Sequence, residues 1–184
     1  ELAERISGDT SAAHALALSV AAFAAAPAAV AAAARGFTAK DMVQLERISD
    51  PRVSPDGRFV AYSVRTMDYA ANKASMSLWI ADLKARMAPR RLAVSDGGAS
   101  SPRWSPDGKA LYFVSGRTGG LDQVYRTDVA GETAVQVTKA PFDVGAFKIA
   151  PDGKTIVIAQ AVFPDCDTLE CTKDKLAAKG GRKT

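Results

Sequence analysis

The chain has 184 residues, with 24 lysines and arginines against 20 aspartates and glutamates, 47% hydrophobic residues and 7% aromatic residues. This length suffices for one modest domain. The formal charge of +4 is concentrated in residues 172–184. The remainder is neutral overall and does not form the patterned basic face, interleaved with aromatics, that nucleic-acid binding needs, so we expect no nucleic-acid partner.

The first predicted element is a leader over residues 1–35 that is similar to a signal peptide and would direct export. Residues 12–34 contain no charged side chain, and 15 of these 23 residues are alanine. An apolar run at residues 15–23, a helix-breaking Pro27 and a small-residue pattern ending at Ala34 are typical of a secretory signal, although the preceding residues are more acidic than basic. A membrane anchor is the alternative, but alanine contributes little to insertion. We therefore expect a periplasmic or secreted bacterial protein without a membrane span after leader removal.

A short helix is predicted next, within a segment spanning residues 36–48. Thr38 and Asp41 form a start that is similar to a capping box, and apolar residues recur at three-residue steps over residues 42–48. The pattern predicts an amphipathic helix from Ala39 to about Arg47, which would cover a neighbouring unit of the fold.

The remaining sequence contains a repeat. Pro-Asp-Gly occurs at residues 55–57, 106–108 and 151–153, at spacings of 51 and 45 residues. Proline presets φ in a turn, aspartate can bond back to the backbone, and glycine closes the turn. Each complete unit also holds four short β-rich runs separated by turn residues, without helical periodicity. Four antiparallel strands at this period are typical of a β-propeller blade.

The predicted fold class is therefore all-β, a partial β-propeller of two to three four-stranded blades over residues 49–184. We place the blades at about residues 49–97, 98–140 and 141–184, the last one incomplete with a cysteine-containing loop insertion. The turn aspartates are interpreted as turn residues and the basic stretch at residues 173–184 as a solvated loop. Four aromatic residues are interpreted as packing between blades: Trp79, Trp104, Tyr112 and Phe113.

Two cysteines, Cys166 and Cys171, lie five residues apart in a polar loop that contains Pro164. Export would permit a disulfide between them, and the loop is able to curl enough to bring the two Cα atoms within bridging distance. The alternative is a pair of free thiols. Because the closed loop would be short, the bridge would stabilise the fold modestly and locally.

No catalytic centre is predicted in this chain. Its single histidine, His14, lies in the leader, whereas Ser-His-Asp and Cys-His centres need an imidazole as the base. The G-x-S-x-G elbow, the phosphate-binding loop and the H-E-x-x-H motif are missing, as is a second cysteine pair for zinc. We expect no catalytic, cofactor-binding or metal-binding residue and no cofactor.

The run from Phe37 to Met42, followed by residues 48–57 and the Pro-Asp-Gly repeats, resembles the N-terminal region of exported bacterial serine peptidases of the prolyl oligopeptidase family. The nearest subgroup is the dipeptidyl-aminopeptidase and acylaminoacyl-peptidase-like enzymes, in which a similar cysteine loop occurs. The resemblance covers roughly residues 37–183. It implies a propeller that filters the access of short peptides to a C-terminal α/β-hydrolase domain, whose catalytic residues have no matching position here.

Three functional hypotheses follow. The first is a non-catalytic propeller segment of a secreted serine exopeptidase, whose partners are the hydrolase domain and the peptide substrate. The second is a TolB-like periplasmic propeller that binds a protein partner, because the Pro-Asp-Gly repeat alone is shared with such proteins. The third is a scaffold that closes its propeller by self-assembly. Two complete blades and part of a third leave open sheet edges, which favours a segment of a longer protein.

Overall fold

The computed structural model describes residues 35–85 and 87–180. The chain separates into two compact units, Glu1–Gly36 and Phe37–Thr184, and the fold below is that of the second unit. Except for Arg35, the predicted leader lies outside the described residues. None of the helices in the described ranges is long and apolar enough to cross a membrane.

The first sheet contains four antiparallel strands that follow one another in chain order. They are β1 (Arg47–Val53), β2 (Phe59–Asp68), β3 (Lys73–Asp82) and β4 (Arg90–Arg91). β2 and β3 pair along their full length of ten residues each. A 3₁₀ turn, Ala93–Gly97, follows β4. The fourth strand is short because Val94 donates its N–H to Gly131 O in a turn of the second sheet and not to β3.

The second sheet repeats this arrangement, again with four antiparallel strands in chain order. Its strands are β5 (Ser100–Trp104), β6 (Ala110–Ser115), β7 (Gln123–Asp128) and β8 (Val135–Gln136). The third sheet has two described strands, β9 (Ala146–Ile149) and β10 (Ile156–Ala159). The sheets are antiparallel meanders that do not close into a ring, which confirms the predicted all-β, partial-propeller class.

The three Pro-Asp-Gly segments are the turns that join the first two strands of each sheet. The glycines Gly57, Gly108 and Gly153 have φ of 68°, 71° and 68°, a left-handed conformation that glycine adopts without steric cost. Asp56 accepts hydrogen bonds from the Ser54 hydroxyl at 2.5 Å and from Arg58 N at 3.1 Å. These bonds explain why the aspartates act as turn residues, as predicted.

The core consists of two clusters that lie on opposite faces of β6. Phe113 is fully buried between the first and second sheets, where it stacks on Tyr125 at a centroid distance of 6.0 Å. Tyr112 and Val114 belong to the other cluster, with Phe147 of the third sheet. Successive residues of a strand point to opposite faces, so β6 is covered on both sides.

The first helix, α1, spans Ala39–Gln44 and is shorter than predicted. Its capping box is confirmed, since Thr38 and Asp41 exchange the expected side-chain and backbone hydrogen bonds. The helix ends early because β1 begins at Arg47 and Ile48 pairs with Val64 of β2. Pairing with β2 thus replaces the last predicted helical turn, and Ile48 remains 69% exposed.

The second helix, α2 (Leu169–Gly180), corrects the interpretation of residues 173–184 as a loop. Thr168 accepts a hydrogen bond from Cys171 N at 3.2 Å, the bond of a helix N-cap. Lys175 pairs with Asp165, and the Lys179 ammonium lies 4.4 Å from the Phe163 ring centroid. Lys173, Lys175 and Lys179 therefore belong to a helix that packs on its own preceding loop.

Candidate functional site

The first strands of the three sheets, β1, β5 and β9, border one groove, which we call the first-strand groove. β5 contacts both β1 and β9, and the groove has a volume of about 830 Å³. Its lining combines apolar side chains with three cations and, among the described residues, includes no aspartate or glutamate. The lining residues used below are Arg52, Val53, Arg103, Trp104, Phe147 and Lys148.

The three cations occupy the same position in each repeat. Arg52, Arg103 and Lys148 each precede the turn proline of their sheet by three residues. Because each turn fixes the register of the strand that enters it, this spacing places one base at the same height on each first strand. The groove therefore carries a row of positive charge across three sheets.

Asp50 ties the first sheet to the second beside this row. Its carboxylate lies 2.5 Å from the Arg52 guanidinium and 2.6 Å from that of Arg103. Partial burial alone would raise the pKa of Asp50, but the hydrogen bonds and charges of Arg103 and Arg52 outweigh this effect and hold the pKa below its ordinary value of 3.8. Asp50 is thus ionised at neutral pH and offsets part of the positive charge.

Trp104 supplies an apolar wall of the groove and a second contact between the sheets. Its ring stacks on Phe59 at a centroid distance of 6.3 Å, and its indole N–H donates to Arg52 O at 2.9 Å. The predicted packing of Trp104, Tyr112 and Phe113 between blades is confirmed. Trp79 differs, because it borders a cavity of about 680 Å³ and donates its N–H to Ser77 of its own strand at 3.1 Å.

The described lining of the groove offers cationic donors and no activated nucleophile. The Ser105 hydroxyl, the one hydroxyl in its described lining, is held by Asp107 at 2.6 Å and by Ala110 O at 3.1 Å. Across the described ranges, no group of three His, Cys, Asp or Glu side chains is arranged to hold a metal ion. Cationic donors beside aromatic and aliphatic walls suit an anionic ligand with an apolar portion.

The two predicted disulfide residues lie outside this groove. Cys166 and Cys171 are bridged in the structure, with sulfur atoms 2.02 Å apart and Cα atoms 5.5 Å apart. They close the loop that leads into α2. That this bond forms in solution stays a prediction.

The sequence prediction did not identify Asp50 or the three bases. Their signal was present in the repeat alignment, where a basic residue occupies the same column in all three segments. The role of Asp50 had no such signal, because its partner Arg103 is 53 residues away. Only the packing of one sheet on the next brings these side chains together.

Comparison with known proteins places the fold in a family context. The model of the TolB beta propeller domain, PD40, matches residues 37–169. The uncharacterized peptidase YuxL of Bacillus subtilis is 30% identical over 122 residues, which cover 66% of this chain and 18% of that protein. Dipeptidyl-peptidase 5 of Porphyromonas endodontalis is 30% identical over 123 residues, 66% of this chain and 17% of that protein.

Among solved structures, the acylaminoacyl peptidase of Pyrococcus horikoshii superposes with a TM-score of 0.56 at 22% identity, over 71% of this chain and 21% of that one. This similarity shows the fold. The chain spans less than a fifth of the length of the two curated relatives. The predicted resemblance to the propeller region of peptidases is confirmed by the family match together with these relatives.

Proposed function

Because this chain belongs to the TolB beta-propeller (PD40) family, we propose that it is the non-catalytic propeller segment of an exported serine exopeptidase that acts on short peptides. In this proposal the segment controls access to an α/β-hydrolase domain elsewhere in the same protein. One observation carries the proposal. The chain matches relatives named as peptidases over 66% of its own length but over only 17–18% of theirs.

The groove geometry supports a role in access. The first strands of a propeller surround its axis, which is the path by which a ligand reaches a domain docked on one end. Here those strands present a groove of about 830 Å³ whose described lining holds no free nucleophile and no imidazole. The Asp50 contact with Arg52 and Arg103 keeps two of the sheets together beside this path. A stiff wall of this kind suits a size filter.

Export of the protein is part of the proposal. The leader-like segment over residues 1–35 supports it, and so does the cysteine pair, because disulfides persist in oxidising compartments. A fusion of residues 1–40 to a reporter that is active only in the periplasm tests this part. Export is supported if the fusion is active and loses this activity when two aspartates interrupt the apolar run at residues 15–23. An inactive fusion with the original sequence contradicts export.

The main experiment reads the coding sequence beyond Thr184 in the same frame and expresses the longest product. The product is then assayed with aminoacyl and dipeptidyl chromogenic substrates. A G-x-S-x-G elbow, with hydrolysis that is lost when its serine is changed to alanine, supports the proposal. A frame that ends without a hydrolase domain contradicts it.

The access role has its own test in the same product. We expect short peptides to be cleaved and the same sequence within a folded protein to resist cleavage. Arg103→Met removes the ion pair with Asp50, one of the contacts between the first two sheets, and is expected to raise the cleavage of longer substrates relative to short ones. Arg126→Met, which changes an exposed arginine of β7, is the matched control. An unchanged length preference in Arg103→Met argues against a filter formed by these blades.

A second function remains a candidate because the matching family model is that of the TolB propeller. In that case the chain is part of a periplasmic propeller that binds a protein partner. Further Pro-Asp-Gly repeats followed by a stop codon, without a hydrolase domain, are the result that favours it. An immediate stop codon favours a scaffold that closes by self-assembly.

A further inference from the structure

We propose that the first-strand groove holds the C-terminal carboxylate of a peptide, with Lys148 as the principal cation. This inference rests on the proposed function and deepens it, because it assigns a binding role and a chemical class of ligand to that groove. The observation that carries it is the charge of the lining, which has cations on three consecutive sheets and no described acid.

The cations differ in how far they are already paired. Arg52 and Arg103 share the carboxylate of Asp50. Lys148 is exposed, and its ammonium has no hydrogen bond or ion pair with any residue in the described ranges. One acid therefore serves two bases while a third lies free in the same groove, and the groove keeps a net positive charge.

Arg103 adds donors beside Lys148. Within the described residues, the hydrogen bonds of its guanidinium, to Asp50 at 2.6 Å and to Pro102 O at 2.7 Å, both use Nη1. Nε and Nη2 remain available for a further acceptor, and a carboxylate accepts from such planar donors at two oxygens. Arg103 and Lys148 thus both supply hydrogen-bond donors to the lining of the groove.

The apolar part of the lining fits the rest of a peptide terminus. Trp104 and Val53 line the groove together with the bases, and the Val53 side chain is 60% exposed. A ligand side chain that covers these exposed walls displaces water, which strengthens the attraction between the bases and its carboxylate. An anion with an attached aliphatic or aromatic side chain therefore fits better than a small inorganic anion.

A peptide can present a carboxylate from its C-terminus or from an acidic side chain. We expect a segment that filters peptides to bind the one at the C-terminus. Every linear peptide carries one, whereas acidic side chains depend on sequence. A segment that admits peptides of varied sequence gains a common handle by binding the terminus. For an enzyme that cleaves near the amino terminus, the C-terminus is the end of the substrate furthest from the reacting bond.

The experiment uses the full-length protein and two short alanine peptides that are identical except for a free or an amidated C-terminus. Binding is measured by calorimetry and hydrolysis by mass spectrometry of the released products. We expect amidation to weaken binding and raise KM by about tenfold, the effect of losing one charge-assisted hydrogen bond, with kcat unchanged. Added salt should weaken binding of the free acid more than that of the amide.

The variant Lys148→Gln is expected to remove the preference for the free acid. Its side chain is exposed, so the substitution spares the core. The matched control is Lys154→Gln, an exposed lysine in the turn of the same sheet that does not line the groove. A third peptide, amidated and carrying aspartate in place of the penultimate alanine, distinguishes a side-chain carboxylate from the terminal one.

The outcomes separate this inference from the proposed function. Three results overturn the inference. The free-acid and amidated peptides bind equally, Lys148→Gln still prefers the free acid, or the amidated aspartate peptide binds as tightly as the free acid. Binding that depends on Lys148 and on the free terminus, without any hydrolysis, supports the inference while the proposed peptidase function fails. If the free-acid and amidated peptides are hydrolysed equally well, the proposed peptidase function is supported and the inference fails.

Discussion

Asp50 combines an unusual backbone conformation with a contact between sheets. Its φ is 50°, in the left-handed region, and it lies in the bulge where the pairing register of β1 with β2 shifts. Ser101 holds the same place in β5, with φ of 57°, also directly before a proline. Short polar side chains tolerate this conformation better than others. The bulge turns the Asp50 carboxylate toward Arg103, so the strained residue provides the link between the sheets.

Asp50→Asn tests this link because asparagine accepts the same backbone conformation while losing the charge. We expect a loss of stability of about 1 kcal/mol at pH 7, since the pair is half-buried and charge-assisted. The native pKa of Asp50 is lowered from the ordinary, unfolded value of 3.8, so the carboxylate stabilises the fold fully at pH values above 3.8. This contribution is lost as the pH falls through the lower, native value. Urea unfolding of the wild type and of Asp50→Asn at pH 7 and below pH 4 measures their difference in free energy of unfolding. We expect this difference to be smaller at the lower pH.

The control for this prediction is Asp96→Asn. Asp96 pairs with Arg91 at 2.7 Å, but its side chain is 79% exposed. Exposed ion pairs contribute little, so its substitution should leave stability nearly unchanged at either pH. Equal losses in the two variants would show that Asp50 contributes no more than a surface charge.

At the scale of elements, the turns also join neighbouring sheets. Gly131 closes the turn after β7, where its N–H donates to Asp128 at 3.0 Å and its carbonyl accepts from Val94 of the first sheet at 2.9 Å. Its φ is 71°. A Cβ at this position would lie 2.7 Å from Leu92 Cδ2, and Leu92 is fully buried. This turn therefore requires glycine for two reasons. Its φ is positive, and the buried Leu92 side chain leaves no room for a Cβ.

Gly131→Ala is expected to destabilise the protein by about 2–5 kcal/mol, through left-handed strain and overpacking against Leu92. Gly119→Ala is the matched control, because Gly119 has φ of 74° but nothing within 4 Å of the added methyl group. Its cost should be the strain alone, about 1–2 kcal/mol. Thermal unfolding of the two variants compares these values, and similar losses would exclude the contact with Leu92 as a cause.

The cysteine loop and α2 form another local unit. Thr172 is buried and accepts a hydrogen bond from Phe163 N at 3.4 Å, while Cys166 and Cys171 close the loop between them. Replacing both cysteines by serine is expected to destabilise this unit by about 2 kcal/mol in the chain-entropy account of a short loop. Hydrogen exchange should accelerate over residues 163–180 and stay unchanged over β6 and β7.

An alkylation experiment on the wild-type chain tests whether the bond forms in solution. Alkylation of the unreduced, unfolded wild-type chain should leave both cysteines unmodified, and reduction should expose two thiols. Labelling without reduction would favour the alternative of free thiols. Faster exchange in β6 would show that the bridge acts beyond its own loop.

At the scale of the whole molecule, the third sheet differs from the other two because its described part has two strands. Val157 of β10 is 64% exposed, and among the described strands β10 pairs only with β9. An apolar strand with unpaired backbone groups is a template for association. We expect the 184-residue chain to associate at high concentration and Val157→Lys to reduce this, as measured by sedimentation.

Val135→Lys is the comparison for this prediction. Val135 is 57% exposed but lies in the two-residue outer strand of a four-stranded sheet, where a short strand offers few backbone groups for pairing. We expect a much smaller effect on association. If both substitutions act equally, general hydrophobicity and not the open strand drives the association.

The sequence predicted those parts of the fold that depend on local chemistry. The Pro-Asp-Gly turns, the capping box at Thr38 and the strands beside them follow from residues close together in the chain. The end of α1 at Gln44 did not, since pairing of Ile48 with Val64 overrides the helical pattern. Helix α2 was missed because its stability comes from Thr168, Asp165 and Phe163, whose contacts with the helix no periodicity reveals. The Asp50 contact likewise depends on packing between sheets.

The position of β6 between two clusters has a consequence for synthesis on the ribosome. Phe113 finds its partners, Tyr125 included, within the first 130 residues, but Tyr112 and Val114 are covered by Val144 and Phe147, which emerge about thirty residues later. The N-terminal part of a chain folds first during translation. A nascent chain that pauses near residue 130 therefore carries a complete first sheet, whereas its second sheet still lacks β8 and has one uncovered face. We expect a chaperone to bind at that face.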